Sequence, residues 1–82
     1  ELIPDWAMRN GTLQAAYFIL AVRAVGLDAG PMQGLNKKAA DEVYWAGTRV
    51  KTNFICSVGH GDETTVFKKL PRFDFKEVCE IL

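Results

Sequence analysis

Two short stretches of this sequence hold residue types able to grip a ligand. The first is Gly30-Pro31-Met32-Gln33-Gly34. Glycine lets a backbone approach a planar ring closely. Main-chain N–H groups there can hydrogen-bond ring nitrogen and oxygen atoms that gain electron density on reduction. The same stretch also reads as an ordinary connection between two helices, because isolated glycine loops are common. The second stretch is Lys68-Lys69-Leu70-Pro71-Arg72. Arg72 offers a planar fork matched to phosphate oxygens, and Lys69 adds a point charge. The plain alternative is a solvated basic patch, the usual fate of surface charge.

Other chemically capable residues read more simply. His60 stands between Gly59 and Gly61 with no second ligand at metal spacing. A zinc site wants three or four ligands, so a structural or surface role is expected and no metal site is assigned. Cys56 lies inside an apolar run with nothing nearby in sequence to lower its pKa, which argues against a nucleophile. Cys56 and Cys79 form no CxxC pair and are too few for a disulfide scaffold. They read as reduced, buried cysteines of a cytosolic protein. Trp6, Tyr44 and Trp45 are expected to pack in a core or a dimer interface. No residue is assigned as a catalytic acid or base.

These candidates must be positioned by a few elements. Leu13, Ala16, Tyr17, Leu20, Ala21 and Ala24 recur at helical spacing, which predicts a helix from about Arg9 to Val25. Asn10 or Thr12 can cap its start, and Gly26 supplies a left-handed stop. Phe18, Ile19, Val22 and Val25 lie on its other faces, so it should be buried on more than one side. Residues 28–36, with two glycines and a proline, read as a shaped loop. Asn36 caps a predicted helix from Lys37 to Ala46, ended by Gly47. Val50 to Val58 reads as a strand, alternating at first and then continuously apolar. Residues 63–73 read as irregular. Asp74 and Glu77 have capping-box spacing, and a last helix is expected from there to the chain end.

Three helices and one strand leave an energetic problem. A lone strand cannot satisfy its own N–H and C=O groups, and an apolar edge is one that soluble proteins avoid. Partner strands are therefore expected from another copy or from a preceding part of the polypeptide.

Composition narrows the function class. The 82 residues carry 10 Lys+Arg and 10 Asp+Glu, a net charge of zero. That balance argues against nucleic acid or an anionic membrane surface as partner. Apolar residues reach 49% and charged residues 24%, the mix of a packed protein rather than a disordered one. No apolar run has the length of a membrane span. The start, Glu1 to Asn10, shows neither a basic n-region nor an apolar h-region.

In order and spacing, the chain resembles the C-terminal part of the FMN-dependent nitroreductase family. It is most similar to the malonic semialdehyde reductase (3-hydroxypropanoate dehydrogenase) branch. The residues that carry the likeness are Arg9-Asn10, Gln14 to Tyr17, Ala24 to Asp28, Gly30-Pro31-Met32 and Gly34. They continue through Ala46-Gly47-Thr48, Asn53, Gly59 to Asp62, Leu70-Pro71-Arg72 and Phe75-Lys76-Glu77. The resemblance covers nearly everything after Trp6. The Arg-Ser-rich flavin-binding segment of the family's N-terminal half has no counterpart here.

The resemblance implies an α+β nitroreductase-like flavin fold, a sheet flanked by helices in an intertwined homodimer. Residues 1–82 would be the C-terminal portion of that single domain. It implies FMN as cofactor and NADH or NADPH as hydride donor. Pro31, Met32, Gln33 and Gly34 would lie along the flavin ring, chiefly through the Gln33 and Gly34 main chain. Arg72, with Lys69, would hold the FMN phosphate. The implied substrate is a small molecule, a short 3-oxo acid such as malonic semialdehyde; the alternative is broad nitroaromatic or quinone reduction. A third reading makes the piece a non-catalytic interaction module.

Overall fold

The computed structural model describes residues 2–82. Its first element is helix α1, Leu2–Ala24, 23 residues and about 34 Å long at the helical rise. It begins seven residues before the expected Arg9. Pro4 is the reason the early start is allowed. It falls in the first turn, where its missing N–H would have had no partner anyway. Asn10 and Thr12, expected as caps, lie inside the helix. Their side chains bond backward, Asn10 Nδ2 to the Trp6 carbonyl at 3.0 Å and Thr12 Oγ1 to the Met8 carbonyl at 2.8 Å.

The helix stops where Gly26 predicts. Gly26 has φ of +85°. Its N–H donates to the Arg23 carbonyl at 3.1 Å, and the Leu27 N–H donates to the Val22 carbonyl at 3.1 Å. These two bonds form a Schellman motif, which satisfies carbonyls that a helix end otherwise leaves bare.

The expected loop at residues 28–36 is corrected in its first half. Asp28–Met32 is a strand, β1, antiparallel to β2, Ile55–Gly59. The register pairs Asp28 with Gly59, Gly30 with Ser57 and Met32 with Ile55. Glycine and proline were the obstacle to reading it, since both punctuate chains more often than they build strands. Here both are tolerated because β1 lies at the edge of a two-stranded sheet. The single expected strand therefore finds one partner inside the chain. β2 also begins later than the predicted Val50, because residues 50–54 have no strand beside them.

Helix α2, Lys37–Tyr44, is capped as expected: Asn36 Oδ1 accepts from the Ala39 N–H at 3.0 Å. It ends two residues before the expected Ala46. A short 3-10 turn, Glu63–Thr65, is capped by Asp62, which accepts from the Thr64 N–H at 2.9 Å. The final helix α3 is Phe75–Val78, one turn rather than a run to the chain end. The Asp74 N–H does donate to Glu77 Oε2 at 3.0 Å. Such a cap can start a turn, but a short helix without packing does not propagate.

The core is nearly missing. Among the described residues Val22 alone is buried and apolar, and Leu13, Tyr17, Leu20 and Val25 face solvent. Trp6, Tyr44 and Trp45 are also exposed, so the core placement expected for them does not occur within these residues. Both cysteines are free, but Cys56 is half-buried and Cys79 exposed, against the expected burial. The accessible surface is 7965 Å², where a folded monomer of this mass has about 4,900 Å². The radius of gyration is 16.4 Å, against about 12 Å for a compact domain of this length. No helix among the described residues is long and apolar enough to cross a membrane.

Candidate functional site

The stretch from Gly30 to Gly34 spans two kinds of structure. Gly30, Pro31 and Met32 end β1, and Gln33 and Gly34 leave it toward the Asn36 cap. Gly30 packs closely against the paired strand. A Cβ there would crowd Ser57 Oγ on the paired strand, so that hydroxyl would have to rotate away. Gly34 differs. Its φ is not positive, and no atom lies within 4 Å of where a Cβ would stand. Strain at a left-handed Gly34 is thus ruled out, and its open side leaves room for a flat ligand. Pro31, Met32, Gln33 and Gly34 are all exposed. The Gln33 carbonyl accepts from the Leu35 N–H at 2.8 Å, while the Gln33 and Gly34 N–H groups have no partner among the described residues.

The strand end beside this loop is tied to α1. Asn53 Nδ2 donates to Thr12 Oγ1 at 2.8 Å across 41 residues of sequence. The preceding residue is held as well: the Thr52 N–H donates to Asp41 Oδ1 of α2 at 2.7 Å. Sequence reasoning had no means of finding either contact, because each joins residues far apart in the chain.

Lys69 and Arg72 lie in the extended segment before α3, and both are exposed. One Arg72 guanidinium nitrogen donates to the Leu70 carbonyl at 2.8 Å. Neither residue is ion-paired among the described residues, where the single salt bridge is Arg23 to Asp28. Arg72 carries five N–H donors, so most of its fork is free for an anion. No hydrogen bond joins this pair to Gln33 or Gly34. The residues of both expected stretches are accessible, but alone they do not close a pocket.

A cleft of about 880 Å³ lies at the other end of the sheet. Arg23, Asp28, His60 and Phe67 are among the residues that line it. Asp28 ties its walls together, accepting from the Gly61 N–H at 2.7 Å and from the Arg23 guanidinium. The Gly61 amide holds the Asp28 carboxyl below its ordinary value, Arg23 adds to this, and partial desolvation opposes both. A carboxylate with a depressed folded-state pKa stabilises the fold above its unfolded value, about 3.9. That contribution is lost as pH falls through the lower folded-state value. In the full polypeptide the Gly61 amide should therefore stay protected from exchange to below that pH and then open, while Asp28→Asn should abolish the acid step. Opening of the wild type well above pH 4 would contradict this. His60 is an exposed side chain of this cleft, and no group of three or more His, Cys, Asp or Glu residues is placed to hold a metal ion among the described residues.

No family model matches the chain. Individual relatives do. One from Ralstonia pickettii, named "Putative NADH dehydrogenase/NAD(P)H nitroreductase HadB", is 55% identical over 75 residues, 92% of this chain and 38% of the relative. A protein of Cupriavidus pinatubonensis with the same descriptive name is 52% identical over the same shares. Another from a Caulobacter strain is 50% identical over 76 residues, 93% of this chain and 39% of its own length. These identities support the nitroreductase family and do not single out the malonic semialdehyde branch. The chain spans well under half the length of these relatives.

Proposed function

We propose that this chain is the C-terminal portion of an FMN-dependent NAD(P)H oxidoreductase. Identity of 50–55% over more than nine-tenths of its residues carries the reading, since the relatives are named for NADH and NAD(P)H. Two features of the site agree with it: the accessible main chain of Gln33 and Gly34 with an open side at Gly34, and the free fork of Arg72 with Lys69 nearby in sequence. Bound flavin would supply hydride transfer from NADH or NADPH to a small-molecule substrate. The chain's own residues bind and orient. Pro31 and Met32 bring the backbone to the ring edge, the Gln33 and Gly34 N–H groups donate to ring atoms that become electron-rich, and Arg72 and Lys69 neutralise the phosphate.

The proposed substrate is a short 3-oxo acid such as malonic semialdehyde. The second reading is broad nitroaromatic or quinone reduction, favoured by the word nitroreductase in the relatives' names. The protein would act in the cytoplasm as an intertwined homodimer. A sparse core, with Val22 alone buried among the described residues, favours completion of these residues by the rest of the polypeptide or by a second copy.

Gly34→Val tests the ring contact cleanly. Among the described residues nothing lies near the new side chain and φ there is not positive, so they contribute less than about 0.5 kcal/mol to any change in fold stability. The branched side chain would nevertheless hold a planar ring off the backbone. In the full polypeptide, thermal unfolding of the apoprotein should be unchanged, while flavin affinity or the rate of flavin reduction by NAD(P)H falls. Normal binding and reduction in the variant would remove Gly34 from the site.

A further inference from the structure

Helix α2 contains a residue that weakens it unless something outside the helix makes use of it. Asp41 stands in the second half of α2. Aspartate is a poor helix former, and a negative charge toward a helix C-terminus meets the unfavourable end of the dipole. Its surroundings supply the use. Asp41 and Ala40 are half-buried, while every other residue of α2 is exposed. Asp41 Oδ1 accepts from the Thr52 N–H at 2.7 Å. Among the described residues, no other hydrogen bond joins α2 to a segment outside its own caps.

That bond closes a ring of structure around residues 33–36. Met32 is paired with Ile55 in the sheet. From Met32 the chain runs through Gln33, Gly34 and the Asn36 cap into α2, as far as Asp41. From Ile55 it runs back to Thr52. The sheet therefore holds one end of the connection, and Asp41 bound to Thr52 holds the other. Thr52 is itself kept in place, because Asn53 beside it donates to Thr12 Oγ1 of α1 at 2.8 Å. Inside the ring, the Gln33 carbonyl accepts from the Leu35 N–H at 2.8 Å, and the Gln33 and Gly34 N–H groups meet no partner among the described residues. Where those two N–H groups point is set by where α2 sits relative to the sheet.

We propose that Asp41 is a positioning residue. By holding α2 to Thr52, it fixes the direction in which the main chain of Gln33 and Gly34 presents its N–H groups. Asp41 touches no ligand itself. The use of those N–H groups rests on the flavin reading above; their placement by Asp41 rests on geometry alone. A loop fixed in advance binds its ligand more tightly, because less conformational freedom is lost on binding.

Amide relaxation of the full polypeptide without flavin is the first measurement. In the wild type, the Gln33 and Gly34 amides should have order parameters near the rigid value of about 0.85. In Asp41→Ala they should fall below about 0.6, while the amides of Gly30 and Ser57 in the sheet stay at the wild-type value. Asp41→Asn keeps an acceptor oxygen for the Thr52 N–H and should restore the order. Flavin titration of the same proteins is the second measurement. Asp41→Ala should raise the Kd for FMN at least about tenfold, and Asp41→Asn should recover most of that loss. Gln33 and Gly34 amides as ordered in Asp41→Ala as in the wild type would overturn the proposal, whatever the flavin does. A loosened loop that binds FMN as tightly as before would also overturn it. Loss of order at Gly30 and Ser57 as well would do the same, by making Asp41 a residue of the whole fold. A wild type ordered at these amides that takes up no FMN would instead contradict the flavin reading, and the relaxation of Asp41→Ala would still decide the role of Asp41.

Discussion

Residues 1–82 expressed alone will not give a well-protected monomer that binds FMN. One buried apolar side chain, Val22, cannot offset the conformational entropy of ordering a chain of this length. The exposed area exceeds that of a folded monomer by about 3,000 Å², much of it contributed by α1 and by residues 66–82. A two-stranded sheet adds little, because it is marginal in water without further strands or a helix packed on it. Sedimentation should show aggregation or an expanded species, and amide protection should be weak outside α1. A monodisperse, well-protected monomer that quenches FMN fluorescence at micromolar concentration would show a complete small domain.

Arg72→Ala should weaken FMN binding by the full polypeptide by about 1.5–3 kcal/mol, the range for a hydrogen bond to a charged group. That is roughly 10- to 150-fold in Kd. The residue is suited to such a loss: it is exposed, has no carboxylate partner among the described residues and spends one donor on the Leu70 carbonyl. Arg72→Lys should lie between the two, because it keeps the charge and loses the fork. Thermal unfolding of the apoprotein, measured beside the titration, separates lost FMN affinity from lost fold stability. Flavin titration of both variants decides the matter, and unchanged affinity for Arg72→Ala would exclude the phosphate role.

Local signals were legible in the sequence and tertiary ones were not. Gly26 and Asn36 act through their own backbone and their near neighbours, so the end of α1 and the start of α2 fall where the residues place them. The beginning of α1 was hidden by Pro4, whose first-turn tolerance depends on where the helix starts. Strand β1 was hidden by Gly30 and Pro31, which read as a turn until Ser57 and Cys56 are seen opposite them. The length of α3 was overread because Asp74 and Glu77 specify a start and cannot supply the packing that extends a helix. At the candidate site, Gln33, Gly34, Lys69 and Arg72 are expectations that the resemblance supplies, and all four are exposed. The ties that hold their surroundings, Thr12 to Asn53 and Asp41 to Thr52, connect distant residues and leave no mark in either segment alone.

The central claim is that these residues belong to a flavin reductase. Its most direct test is anaerobic reduction of the full polypeptide titrated with FMN. The reading predicts saturable uptake of flavin, a yellow protein with the absorbance band of bound FMN, and bleaching of that band on addition of NADH or NADPH. A folded full-length protein that takes up no FMN, or whose bound flavin is not reduced by either nucleotide, would contradict it.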